Sequence, residues 1–501
     1  MSRIRKLCQL TIRCSRFTYL LPLLASMLVP ALSVAGTAPV AGKVVPTTTL
    51  SNPNGNNFDD FGAAVGLSSD GNTLLIGAPE TIATTVSGNA AQVGRAYVFV
   101  RKNGNFDQQP TLTLNDPDPL QLDEFGANLV MSGDASTLLV AASGGDSGAP
   151  RVYVFDAHNG TAPLAMLEDP DGGSDCFGQS LALSANGGVA LVGADCATAN
   201  GIGWAGKAYV YVRSNGNWSP TPVAVLTEAV PTQNDFFGTS VALSADGKTA
   251  LIGSDDYSST DPVGRAYLFS GTGSTWHTTP DAVLRDPSAA LGSMFGSTVS
   301  LSGDGTTALV GAGNGSSGKI AYVFHRSGNT WSKAAAFAAP TAQTGSGFVN
   351  TVKLSTDGAT AMVGLLTGTG IAQVFTRDSD GSWSSQAAQT LNDPADANGD
   401  DYGWSAALSA DGSVRVIGSP YAVSRASPAG SLFSSMPGPG MAYSYRIQTQ
   451  ATSGSEPRST ISSSATDNAA SAGGGADGFP ALLLLSMLLT LKAASRRSRN
   501  L

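Results

Sequence analysis

The stretch Phe237-Gly238-Thr239-Ser240-Val241-Ala242-Leu243-Ser244-Ala245-Asp246-Gly247 decides the fold. It opens on an aromatic-glycine pair and alternates apolar with polar residues. It ends in Asp-Gly, which tolerates the positive φ of a tight hairpin turn. An apolar run follows, Ala250-Leu251-Ile252-Gly253, and then, after a loop, Gly264-Arg265-Ala266-Tyr267-Leu268-Phe269. The alternation and the turn predict consecutive antiparallel strands. A last run closes the unit near Leu284-Arg285-Asp286-Pro287.

The same unit recurs along the chain. Phe61, Phe125, Phe177, Phe237 and Phe295 each precede Gly, and Phe348-Val349 and Tyr402-Gly403 are two degenerate copies. The spacings between these aromatics are 64, 52, 60, 58, 53 and 54 residues. Seven repeats of four short strands predict an all-β, seven-bladed β-propeller of antiparallel blades, because such a sheet buries its faces only against its neighbours. The seventh copy supplies a third strand at Met441–Arg446 but no fourth. At the other end, Leu50-Ser51-Asn52-Pro53 mimics the Leu-x-Asp-Pro ending. Residues 43–53 are therefore expected to complete the last blade. That makes one domain over 43–447, although 501 residues would ordinarily suggest about three.

This pattern resembles the FG-GAP repeat, the propeller repeat also found in integrin alpha subunits. The resemblance covers about 400 residues, and Phe237 to Gly247 carries it most closely. It implies a propeller used for adhesion or ligand binding rather than an enzyme.

The two ends read as addresses. Arg3, Arg5, Lys6, Arg13 and Arg16 precede an apolar run from Tyr19 to Leu32, and Ser33-Val34-Ala35 precedes Gly36. This predicts a secretory signal over 1–35, cut by signal peptidase between Ala35 and Gly36. Residues 448–475 form a Ser/Thr/Ala/Gly-rich linker ending in Gly473-Gly474-Gly475. Residues 476–501 add an apolar run, Phe479 to Leu491, and the basic residues Lys492, Arg496, Arg497 and Arg499. This tripartite end resembles the bacterial GlyGly-CTERM sorting signal. The resemblance implies a rhombosortase-like intramembrane protease as partner and a membrane-anchored stage before processing. The expected address is the bacterial cell envelope or surface, or the extracellular space.

The whole chain carries 28 basic and 37 acidic residues. Without those nine basic residues and Asp477, the body keeps 19 basic against 36 acidic, a net charge of −17. A body this acidic argues against nucleic acid as a partner.

Cys8 and Cys14 leave with the signal. Cys176 and Cys196 lie either side of a hairpin turning at Ala185-Asn186-Gly187, and an oxidising compartment would join them as a disulfide. Catalytic motifs do not assemble. Gly145-Asp146-Ser147-Gly148-Ala149-Pro150 looks like a serine-protease nucleophile segment, but His158, His277 and His325 all follow it. Gly313 to Lys319 fits a phosphate-loop spacing, but Ile320 replaces the hydroxyl residue and a strand pattern follows.

Calcium is the one cofactor to weigh. The Asp-Gly turns hold a single Asp each and read as turn formers. Richer oxygen sets precede the aromatic positions: Asp396, Asn398 and Asp400, and Asp169, Asp171 and Asp175. Asp116, Asp118 and Asp123 are looser, as are Asn52, Asn54, Asn56 and Asp59. The alternative is that these are solvated turns between blades. The function expected is an exported, non-enzymatic propeller binding a protein or glycan ligand through long inter-strand loops such as Pro79–Val93 and Pro420–Pro439. The alternatives are a structural envelope protein and a polysaccharide hydrolase or lyase using Asp255, Asp256 and Asp261.

Overall fold

The computed structural model describes residues 44–447 except 146–147, 159, 174, 257–262, 289–291, 313–318, 339, 341–347, 367–368, 396–398 and 423–437. Both address segments and the linker lie outside the described residues.

Seven antiparallel blades form a ring, and no helix occurs among the described residues. Blade 4 shows the plan. Its innermost strand is Ser240–Leu243, followed outward by Thr249–Ser254, Arg265–Thr272 and Ala282–Arg285. Blades 1, 3 and 4 carry one extra pairing, in which Phe106, Trp218 and Trp276 fold back on the third strand. The loop after the second strand of blade 1 also carries its own small hairpin, Ile82–Thr84 against Ala90–Gln92.

The last blade is closed by the N-terminal strand. Thr48–Ser51 pairs with Met441–Arg446, with Thr48 opposite Ser444 and Ser51 opposite Met441. Leu50 is buried with Phe61, Leu74 and Phe99 of blade 1 and with Val416 and Ala442 of blade 7. One short strand thus completes a sheet and the core beside it.

The core consists of seven apolar clusters, each lying mainly between successive blades. The repeat aromatic sits in these seams. Phe237 is fully buried, 5.5 Å from Tyr267 and edge-on to Phe269 at 6.0 Å. The geometry recurs for Phe61, Phe125, Phe177 and Phe295. Edge-to-face contact is the arrangement the ring quadrupole favours.

The glycine of the pair is required by closeness. A Cβ on Gly296, which follows Phe295 at the start of blade 5, would lie 2.2 Å from the carbonyl oxygen of Arg265 in blade 4. Gly296 itself has φ 94°, a conformation costly for any residue with a Cβ. Backbones of neighbouring blades meet here without side chains between them.

The turn joining the first two strands is built the same way in every blade. Ser68, Ser132, Ser244, Ser302, Ser355 and Ser409 donate to the aspartate two residues on, at 2.5–2.7 Å, and Ser184 donates to Asn186 at 2.8 Å. The Asp-Gly aspartates are engaged in their own turns. These turns also join one another. Ser69 N donates to Gly133 O, Asp134 N to Ala185 O, Ala185 N to Ala245 O, and Ala245 N to Gly303 O. Gly303 N donates to Thr356 O, Asp357 N to Ala410 O, and Ala410 N back to Ser69 O. The circle is closed by seven bonds of 2.8–3.1 Å, each pointing to the next blade.

Candidate functional site

Two features meet on the side of the ring where the aromatic-glycine segments enter. One is a set of acid–base junctions between blades, and the other is the axial cavity.

These junctions start from the Leu-x-Asp-Pro end of an outer strand or its variants, Leu226-Thr227-Glu228-Ala229 and Leu50-Ser51-Asn52-Pro53. The acid there meets a second acid two residues before the next aromatic. The pairs are Asp116 with Asp123, Asp169 with Asp175, Glu228 with Asp235, and Asp393 with Asp400; Asn52 with Asp59 is an amide variant. Asn52 Nδ2 donates to Asp59 Oδ2 at 2.7 Å. Asp59, Asp116, Asp123, Glu228, Asp235, Asp393 and Asp400 are all buried.

Buried carboxylates need a countercharge. It comes from the first residue of a third strand. Arg151 Nη2 lies 2.8 Å from Asp123 and 4.0 Å from Asp116, and Arg151 Nη1 lies 2.6 Å from Asp118. Lys207 Nζ lies 2.6 Å from Asp171. Arg265 lies 3.4 Å from Asp256, and Arg95 donates to Asn54 at 3.3 Å. In blade 7 the corresponding residue is Met441.

Electrostatics follow from this packing. Asp116 is pushed up to about 7 by burial and the Asp123 carboxylate beside it. Asp175 is pushed up to about 7 by burial and the charge of Asp169. Burial raises Glu228 to about 7, and burial with the charges of Asp393 and Asp401 raises Asp400 to about 7. These acids favour the fold when protonated, so their contribution is present at low pH and lost as pH rises towards 7. The turn aspartates Asp70, Asp134, Asp246 and Asp304 act in the opposite sense. Burial opposes their charge, but the serine hydroxyl and a backbone N–H outweigh it and hold them below the usual range. Their contribution is lost as pH falls below about 4. Melting temperature measured from pH 3 to 9 should peak between about pH 4 and 6. A maximum at pH 8 or above would contradict this assignment.

Asp169, Asp171 and Asp175 offer oxygens all within 4.8 Å of one another. Asp169 Oδ2 and Asp175 Oδ2 are buried with no hydrogen-bond partner among the described residues. Asp171 also accepts from Tyr209 Oη at 2.6 Å. Asp400 is buried in the blade 6–7 junction, while Asp396 and Asn398 lie outside the described residues. Cys176 and Cys196 are joined in a disulfide beside the Asp169 cluster. With a sequence separation of 20, closing that loop contributes about 3 kcal/mol.

Sequence reasoning did not find the axial cavity. It has a volume of about 590 Å³ and is lined by residues of all seven blades. Its wall holds Asn128, Gln179, Thr239, Ser297 and Asn350, with Trp404 alongside and Lys353 on the innermost strand of blade 6. Burial holds the Lys353 ammonium below its usual range. Asp60, Glu80 and Glu124 also line it. The signal is visible only when the seven innermost strands are aligned: Gly66, Val130, Ala182, Ala242, Ser300 and Ala407 stand where blade 6 has Lys353.

The fold and this cavity define the protein as a seven-bladed β-propeller with a polar axial cup. No family model matches the chain. Among solved structures, the chain is similar to one in "Crystal Structure of Mitotic Checkpoint Complex". The two are 14% identical with a TM-score of 0.48, covering 85% of this chain and 99% of that one.

Proposed function

We propose that this protein is an exported, non-enzymatic propeller that binds a protein or glycan at the cell surface. The observation that carries the reading is the face just described, where inter-strand loops surround a cup to which every blade contributes. Propellers are repeat scaffolds that leave such loops free to vary. The disulfide supports an oxidising compartment, which fits the signal-like N-terminus and the GlyGly-CTERM-like C-terminus. The FG-GAP resemblance supports adhesion. The test is binding of the purified full chain to arrays of envelope and host glycans and to cell-surface protein fractions. Saturable binding to a defined component is expected. Absence of any such binding would leave a purely structural envelope role.

Calcium enters this reading at one junction. The donor set Asp169, Asp171 and Asp175 is all oxygen and includes two buried oxygens without partners, which fits a hard cation. Lys207 already supplies positive charge there. Lys207→Met is therefore expected to make stability calcium-dependent. Its melting temperature should rise with millimolar calcium, reversibly with EDTA, and by more than that of the unmodified chain. Equal responses of the two proteins would remove calcium from this junction.

A further inference from the structure

The axial cup places one lysine among neutral polar groups, with Asp60, Glu80 and Glu124 elsewhere in the lining. Lys353 lies on Phe348–Leu354, the innermost strand of blade 6, and lines the cavity. Its ammonium has no ion pair or hydrogen bond to any described residue, whereas Arg151, Lys207 and Arg265 are each paired with a carboxylate. Every other blade puts a small or aliphatic residue at this position. Lys353 is half-buried and is the one basic residue among the described residues lining the cavity, so it is where an anion entering the cup would find a countercharge.

The rest of the wall narrows the anion's chemistry. Asn128, Gln179, Thr239 and Asn350 offer neutral donors and acceptors, and Trp404 offers an aromatic surface. Asp60, Glu80 and Glu124 line the same cavity, and the body is strongly acidic. These carboxylates would repel a polyanion far more strongly than a single carboxylate, which the one lysine of the lining can balance. We propose that the axial cup binds a small hydroxylated monocarboxylate, of the sugar-acid class, with its carboxylate against the Lys353 ammonium. Its hydroxyls then take up the amide and hydroxyl groups of the wall.

This deepens the binding reading by naming a ligand class for one site. Its failure would leave binding through the surrounding loops intact, since that is read by capture of surface components.

The test is titration calorimetry of the full chain with D-glucuronate and with L-lactate, against D-glucose as the neutral control. Glucuronate is expected to bind, with glucose much weaker. Lys353→Met should weaken glucuronate roughly tenfold to a hundredfold, the usual worth of one charge-assisted hydrogen bond. Binding equal in Lys353→Met and the unmodified chain, or no binding of either carboxylate, would overturn the proposal. Should the variant fail to fold, amine acylation of the unmodified chain decides by mass spectrometry. Glucuronate is expected to slow labelling of Lys353 and of no other lysine. Unchanged Lys353 labelling overturns the proposal.

Discussion

A chain beginning at Asn54 is expected to lose stability and to associate more than the longer chain does. That truncation removes Thr48–Ser51 and leaves Met441–Arg446 as an open sheet edge. It also removes Leu50, whose burial alone is worth about 2–5 kcal/mol by comparison with Leu→Ala substitutions. The exposed edge can pair with a second copy, the usual fate of an unprotected strand. Light scattering should show oligomers or aggregate, and the melting transition should broaden or vanish. A synthetic peptide spanning residues 46–52 should restore the size and melting of the longer chain by adding the missing strand. A chain beginning at Val44 keeps the strand and serves as the control. Should the chain from Asn54 melt like that control, the closure described above would carry no stability.

Phe237→Ala is expected to cost about 3–5 kcal/mol, the range for removing a fully buried aromatic. The ring contacts Tyr267 and Phe269 of its own blade and shares a cluster with Leu191, Val210 and Leu226 of blade 3. The hole would therefore open in the seam between two blades and loosen both. Denaturant unfolding measures the effect. Phe106→Ala is a useful comparison, because Phe106 lies on the short extra pairing rather than at the start of an innermost strand. A smaller loss is expected there.

The seams were readable from the sequence because each needs the same three things. They are an aromatic to fill the space, a glycine where backbones touch, and an Asp-Gly hairpin beside the axis. Phe237, Gly238 and Asp246-Gly247 stand for all three, and local alternation reveals the strands between them. Even the closing strand could be found, since Leu50-Ser51-Asn52-Pro53 keeps the outer-strand ending of the other blades. The junction chemistry was half readable. The acids cluster in sequence and suggest metal, but Arg151 and Lys207 come from a strand dozens of residues further on, so spacing alone could not pair them. The cup was not readable at all. It is made of residues gathered from all seven blades, far apart in the chain, and Lys353 in Val352-Lys353-Leu354 looks like any polar residue in an alternating strand.

The circle of seven turn-to-turn bonds has a consequence for inheritance. Genes made of repeats readily gain or lose a unit by unequal recombination, and an open solenoid tolerates this because its ends are free. Here Ala410 must donate to Ser69 for the circle to close. An added unit would have to bring a turn that joins both neighbours, and either gain or loss would refit every seam around the ring. Variation in the loops, by contrast, leaves the circle closed and can alter binding without reopening the ring.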